Sequence, residues 1–331
     1  MDTPTLTARL RQEYGWTDAV PRRIPTGVGG DTYIIETAQG HFILKQMEDN
    51  GMNHPEAEPA LCGFLLSRGI PVSEFVPTLD GRLVWWDGER FCHLQRLIDG
   101  SAVELHSASE PLLAESARML GRIHTVLAEY PPLPPGLGEG FFRNRTPERT
   151  VPSYRRSLAI ALERGDSDIA DDLGYRIRRM ERIPAATFDL GRLSCRNSHG
   201  DYGVNQLICR DGSIRAVIDW TAACVIPVVW EILRSFLYAS PACREGTVDE
   251  EGLIRYVRAY REEAPLSRTD LETMPHLFHY QIAVCDYYGQ YYGSDAANRA
   301  IFLHQARFST RLMRWFEENA DRLSERLGAL A

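Results

Sequence analysis

The sequence contains no Cys-x-x-Cys pair. Its seven cysteines (Cys62, Cys92, Cys195, Cys209, Cys224, Cys243 and Cys285) are scattered and odd in number, so neither a disulfide framework nor a structural zinc site is expected. No apolar run approaches the roughly 20 residues that cross a bilayer, and no secretory leader pattern is present; the expectation is a cytoplasmic protein without membrane contact. A basic excess is missing as well. The 45 acidic residues outnumber the 37 basic ones, giving a formal net charge of −8 and a pI near 5.7. Binding a nucleic-acid backbone needs a cationic face, so nucleic acid is not an expected partner, and an anionic ligand must be met by local cations. Internal repeats and low-complexity tails are also absent. What remains, at 331 residues, is long enough for two domains with ample cores.

The densest chemistry lies between Ser198 and Trp220. Leu207-Ile208-Cys209 and Ile214 to Ile218 are short β-rich runs around Asp211-Gly212, a dipeptide that accepts the positive φ of a two-residue turn. With the turn centred there, Gln206 faces Val217, and Asp219 lies two residues further along the returning strand, about 7 Å at strand rise. The hairpin then carries Gln206 and Asp219 back to one end, beside Asp201. Singly, each of these residues is an ordinary turn cap or strand end. Together, two carboxylates and an amide oxygen suit a hard divalent cation such as Mg²⁺, which prefers oxygen donors shared with phosphates.

His199-Gly200-Asp201, the strand start near Gln206, and Ile218-Asp219-Trp220 followed by Ala222-Ala223 resemble the motifs of the aminoglycoside phosphotransferase and choline kinase superfamily. That resemblance implies an α+β, two-lobed protein-kinase-like fold and transfer of the ATP γ-phosphoryl to a hydroxyl. It makes Asp201 the catalytic base and Asp219 the metal-holding Asp. One position departs from the family: Asn is usual five residues after the catalytic Asp, whereas here Gln206 stands there and Asn205 one place earlier. A maltokinase-like branch is similar in using Gln, and Gln206 is taken as the second metal ligand, with Asn205 as the alternative.

Before this stretch, residues 3 to 14 read as an amphipathic helix, with Leu6, Leu10 and Tyr14 on one face. Ile24 to Glu36 reads as strand, glycine loop, strand, where Gly29 and Gly30 would let backbone N–H groups approach a phosphate. His41 to Gln46 is an apolar strand ending in Lys45. The resemblance implies that Lys45 steadies the ATP phosphates and is held by a Glu on the next helix, Glu56 to Ser67. Glu58 takes that role, with Glu56 as a rival, because Pro59 confines Glu58 to the helix start. Strands at Arg82 to Trp86 and Arg90 to Leu97 lead into Leu94 to Gly100, which resembles the family's hinge and makes Leu97 an adenine-side contact.

After residue 97 the period becomes helical. Pro111 to Tyr130 carries a stripe from Leu112 to Leu127, with His124 read as a core histidine. Pro131 to Gly138 is a rigid connector, and residues 153 to 183 read as one or two helices. Pro227 to Phe236 resembles the family's Asp-Pro-x-x-Trp-Asp-Leu-Ala helix start, with Ile226 and Glu231 replacing the two acids; Glu231 is read as an anchor for the catalytic segment. The aromatic tract His276 to Tyr292 reads as a packed helix from which Asp286 and Tyr287 would line the acceptor site. A terminal helix spans Ile301 to Leu327. The expected organisation is a nucleotide-binding lobe, 1–97, with an antiparallel sheet, and a mainly helical catalytic and substrate-binding lobe, 98–331. A small-molecule hydroxyl is the expected partner, with ATP and Mg²⁺ as cofactors. A protein-directed kinase and an inactive ATP-binding scaffold are the alternatives.

Overall fold

The computed structural model describes residues 2–24, 30–47, 54–134, 144–182 and 189–331. Helix α1 (Thr3–Tyr14) opens on Asp2, whose carboxylate takes the Thr5 N–H, and closes on Gly15 in the left-handed conformation, the residue type that meets no Cβ clash there. Its Leu6, Leu10 and Tyr14 cover an antiparallel sheet of order β1-β2-β3-β5-β4. The strands are β1 (Val20–Ile24), β2 (Gly30–Thr37), β3 (Gly40–Met47), β4 (Val84–Trp86) and β5 (Phe91–Arg96). Tyr33, Ile35, Phe42, Leu44, Trp85, Cys92 and Leu94 complete this small core.

Helix α2 (Glu58–Ser67) follows β3 in sequence but not in packing. Pro59 occupies its first turn, where a missing N–H leaves no helix bond unmade. Leu61, Cys62 and Leu65 join the large second core together with residues from α3 onward. That core is built by α3 (Glu110–Leu127), α4 (Pro147–Arg164), α5 (Ser167–Met180), α6 (Val228–Ala239), α7 (Glu250–Arg261), α8 (Arg268–Val284), α9 (Tyr287–Gly293) and α10 (Ala296–Gly328). Among the described residues no helix is long and apolar enough to cross a membrane.

Two small sheets frame the chemistry. One joins β6 (Ser101–Ala102), β8 (Leu207–Arg210) and β9 (Ser213–Val217); the other pairs β7 (Cys195–Ser198) with β10 (Cys224–Pro227). The β8–β9 hairpin turns at Asp211-Gly212 as expected, but its register does not follow the simple count. A bulge between Ile208 and Cys209 makes Leu207 the partner of Val217, and Gln206 instead accepts the Ile218 N–H through its carbonyl, 2.9 Å. The extra residue on the returning strand brings Gln206 one position nearer Asp219.

The aromatic tract is likewise not one helix. Helix α8 ends at Val284, and Asp286 caps α9 by accepting the Gly289 N–H at 2.8 Å. The interruption is enforced from outside. Buried Arg176 on α5 donates to the carbonyl of Ile282 (3.1 Å), and the Tyr154 hydroxyl shares its one proton between those of Ala283 and Cys285 (2.7 and 2.8 Å). These donors satisfy carbonyls that a continuing helix would have used.

Candidate active site

The loop that carries Asp201 follows β7, and its geometry depends on Gly200. This residue has φ +80°, and a Cβ there would stand 2.0 Å from the Ala222 carbonyl oxygen. Only glycine lets the loop run against the segment after Asp219. His199 ties the two segments together: its Nε2 pairs with the Ile218 carbonyl at 2.9 Å, and its Nδ1 accepts the Asp201 N–H at 3.3 Å. Its ring packs on Trp220, centroids 4.6 Å apart.

Asp219 itself is left-handed, φ 68° and ψ 61°, one of three described non-glycine residues with positive φ. Such strain persists where surroundings over-determine it. Lys45 Nζ lies 2.8 Å from Asp219 Oδ1, and the Trp220 N–H donates to Glu58 Oε1 at 3.0 Å. The Lys45 charge holds the Asp219 carboxyl down at about 2. Burial pulls the Lys45 ammonium down, but Asp219 and Glu58 outweigh it and the net shift is upward. Burial pushes Glu58 up to about 7 despite Lys45. Glu58 is therefore the inward acid of α2, whereas Glu56 is exposed. Its other oxygen, Oε2, lies 3.4 Å from Nδ1 of His93, whose buried ring is held neutral by desolvation. In this structure Lys45 makes its direct contact with Asp219 rather than with Glu58.

Asp201 is half-exposed and held from two sides. Gln206 Nε2 donates to Oδ2 at 3.3 Å, and Arg234 Nη2 makes a close ion pair with Oδ1. Behind the loop, Glu231 accepts the Tyr202 N–H at 3.1 Å and the Ser198 hydroxyl proton. His124, buried and with its basicity lowered by desolvation, sits between Ser198 Oγ (2.6 Å) and the Tyr260 hydroxyl (2.7 Å). Burial opposes ionisation of Glu231, but His124, by hydrogen bond and charge, together with His199 and Ser198, outweighs it and holds the carboxyl at about 2. His124 and Glu231 are thus the core histidine and the anchor expected from the sequence.

These groups open on one cleft of about 800 Å³. Gly30, Lys45, Leu97, Asp201, Asn205, Gln206 and Asp219 all line it, and Ile34, Ile43, Leu97, Ile208 and Ile218 supply apolar walls. Gly30 also has a reason within the sheet, since a Cβ there would meet the Gln46 carbonyl oxygen at 2.0 Å. Gly29 lies outside the described residues. At Leu97 the N–H is committed to the His41 carbonyl, 3.0 Å. Asp286 and Tyr287 diverge. Asp286 caps α9, hydrogen-bonds Ser153 and lines a separate groove between α4 and α9, while Tyr287 packs against the large core. Two residues escaped the sequence reading. Ile301, on the terminal helix, lines the cleft; Arg234, a lone charge within the apolar run Ile232 to Tyr238, carried that signal in its isolation.

The donor set fits a hard cation. Asp219 is ionised, and Gln206 turns its amide nitrogen to Asp201, which leaves its carbonyl oxygen as a donor. Asn205 bends its oxygen back over Gly203, where a Cβ would stand 2.8 Å away. Among the described residues no three His, Cys, Asp or Glu side chains form a ready-made metal cluster.

Comparison with known proteins gives a consistent set. The profile of the phosphotransferase enzyme family matches residues 21–266. A homoserine kinase from Burkholderia lata is 28% identical over 116 residues, covering 35% of this chain and 34% of that protein. A hydroxylysine kinase from Danio rerio is 26% identical over 136 residues, 38% of each. The chain thus spans little more than a third of the length of the curated relatives it matches. An amicoumacin kinase solved with AMP-PNP, Ca²⁺ and its drug superposes with TM-score 0.64 at 15% identity, covering 97% of this chain and 94% of that one.

Proposed function

The chain belongs to the phosphotransferase enzyme family, and from that premise we propose that it is an ATP-dependent kinase moving the γ-phosphoryl to a hydroxyl of a small molecule. The observation that carries this reading is the convergence in one cleft of Lys45 and Asp219, 2.8 Å apart, with Asp201. Lys45 meets the phosphates, and the apolar walls by Ile34, Ile43 and Leu97 take the flat base. Gln206 and Asp219 would hold Mg²⁺, which when bound offsets charge on the phosphoryl oxygens. Asp201 orients the acceptor hydroxyl and takes its proton. The phosphoryl transition state is loose, so positioning and charge do most of the work.

The test follows γ-labelled ATP and Mg²⁺ into small-molecule and protein fractions. Homoserine, hydroxylysine and amicoumacin, acceptors named for the relatives, form the first panel, and a bacterial extract the second. Asp201→Asn should lower transfer by on the order of 10³-fold while ATP still binds. Label entering protein alone would move the assignment to a protein kinase; ATP binding with no transfer in either fraction would reduce it to a scaffold.

A further inference from the structure

Asp201 is not left to the solvent or to the metal side of the cleft; a cation from another element holds it. Helix α6 presents Glu231 and Arg234 three residues apart, hence on one face, and that face meets the catalytic loop. Glu231 takes the Tyr202 N–H, and Arg234 Nη1 donates to the Tyr202 carbonyl at 3.0 Å. One helix thereby holds both backbone groups of the residue after Asp201. Arg234 Nη2 then pairs with Asp201 Oδ1. Two contacts from a single planar guanidinium fix direction as well as distance.

The guanidinium is itself held. It lies over the rings of Trp230 and Tyr238, 5.7 and 5.4 Å from their centroids, and its side chain is more buried than that of Asp201, 24% against 40% accessible. The two oxygens of Asp201 are consequently unequal. Oδ1 carries a charge-assisted bond, while Oδ2 has only the Gln206 amide at 3.3 Å. Lys45, a cation lining the cleft, is engaged 2.8 Å from Asp219.

We infer that Arg234 is a positioning residue for phosphoryl transfer: it fixes the Asp201 carboxylate by Oδ1 so that Oδ2 alone meets the acceptor hydroxyl. The inference rests on the proposed kinase reading. In that step the acceptor oxygen bonds to the γ-phosphorus as the bond from phosphorus to the bridging oxygen breaks. ADP leaves with the electron pair, and the hydroxyl proton passes to Oδ2. A carboxylate free to rotate would misplace that oxygen by about 1 Å, a displacement worth on the order of 100-fold in rate.

The test uses Arg234→Met and Arg234→Lys in the full chain, assayed with Mg²⁺ and γ-labelled ATP, with water as acceptor in every run and any panel acceptor found active. Arg234→Met should lower kcat about 100-fold with KM for ATP unchanged within twofold, and Arg234→Lys should recover part of the loss. An unchanged kcat in Arg234→Met, or a rise in KM for ATP matching the fall in kcat, overturns the inference. Crystal structures of the parent and Arg234→Met test it without turnover. An Asp201 carboxylate rotated in the variant supports the role, and one that keeps its place overturns it. Absence of transfer by the parent protein counts against the kinase reading alone, because the two crystal structures still decide on Arg234.

Discussion

The two cores of the molecule are unequal, and the site is built from both. The sheet core is small, centred on Leu44, Leu94 and Trp85 beneath α1; the second gathers α2 and the helices from α3 to α10. Lys45 comes from a strand of the first. Glu58, Asp201 and Asp219 come from elements packed into the second. The difference teaches that α2, although it lies between strands of the sheet in sequence, packs with the body that carries Asp201 and Asp219, so that its acid is fixed relative to Asp219 and only the lysine is delivered from outside.

This contrast can be broken. Leu44→Ala and Leu65→Ala remove equally buried side chains from the two cores, each at roughly 2–5 kcal/mol. If the cores are separate cooperative units, calorimetry of Leu44→Ala should show an early transition split from the main one, whereas Leu65→Ala should lower the main transition. The same profile for both variants would refute the separation.

Glu231 sharpens the contrast by placing an ionised group deep in the larger core. Its folded value of about 2 lies below the ordinary 4.5. Above pH 4.5 the stabilisation is fully present; as pH falls from there towards 2 the unfolded chain takes up a proton that the folded one refuses, and about 3 kcal/mol is lost. Denaturant titrations of Glu231→Gln across that window should be flatter than those of the parent by this amount. An equal slope would mean that Glu231 is not the group responsible.

The smallest effect on stability is expected where the cores meet. Asp219 is 40% accessible on its side chain, so loss of its pairing in Lys45→Met should cost no more than about 1 kcal/mol. ATP affinity, measured by calorimetric titration, should nevertheless fall by at least tenfold if, as proposed, the lysine is the cation delivered to the phosphates. A large stability loss with unchanged ATP affinity would recast Lys45 as a structural link.

Much of this was legible in the sequence because local chemistry was unambiguous. Asp211-Gly212 announced its turn, Pro59 the first turn of α2, and the acids at 201 and 219 their convergence. The register of the hairpin was not legible, since a bulge between Ile208 and Cys209 leaves the apolar alternation almost unchanged. The end of α8 was hidden for another reason. Phe278, Ile282 and Cys285 keep a helical spacing up to the break, and the carbonyls there are held by Arg176 and Tyr154, more than 100 positions away in the chain. Arg234 belongs to the same class: nothing adjacent to it names its partner 33 residues earlier.

The imidazole of His199 spans the backbone of Ile218 and that of Asp201. Where one ring closes two segments, neither opens alone, and local unfolding must take both. Amide protons near Asp201 and those near Asp219 should therefore exchange with solvent at a common rate, as one kinetic unit, and His199→Ala should let the two rates diverge. Asp201 and Asp219 would thus be lost or kept together, so on the proposed kinase reading the chain would rarely populate a state that could hold the metal without the base poised to use it.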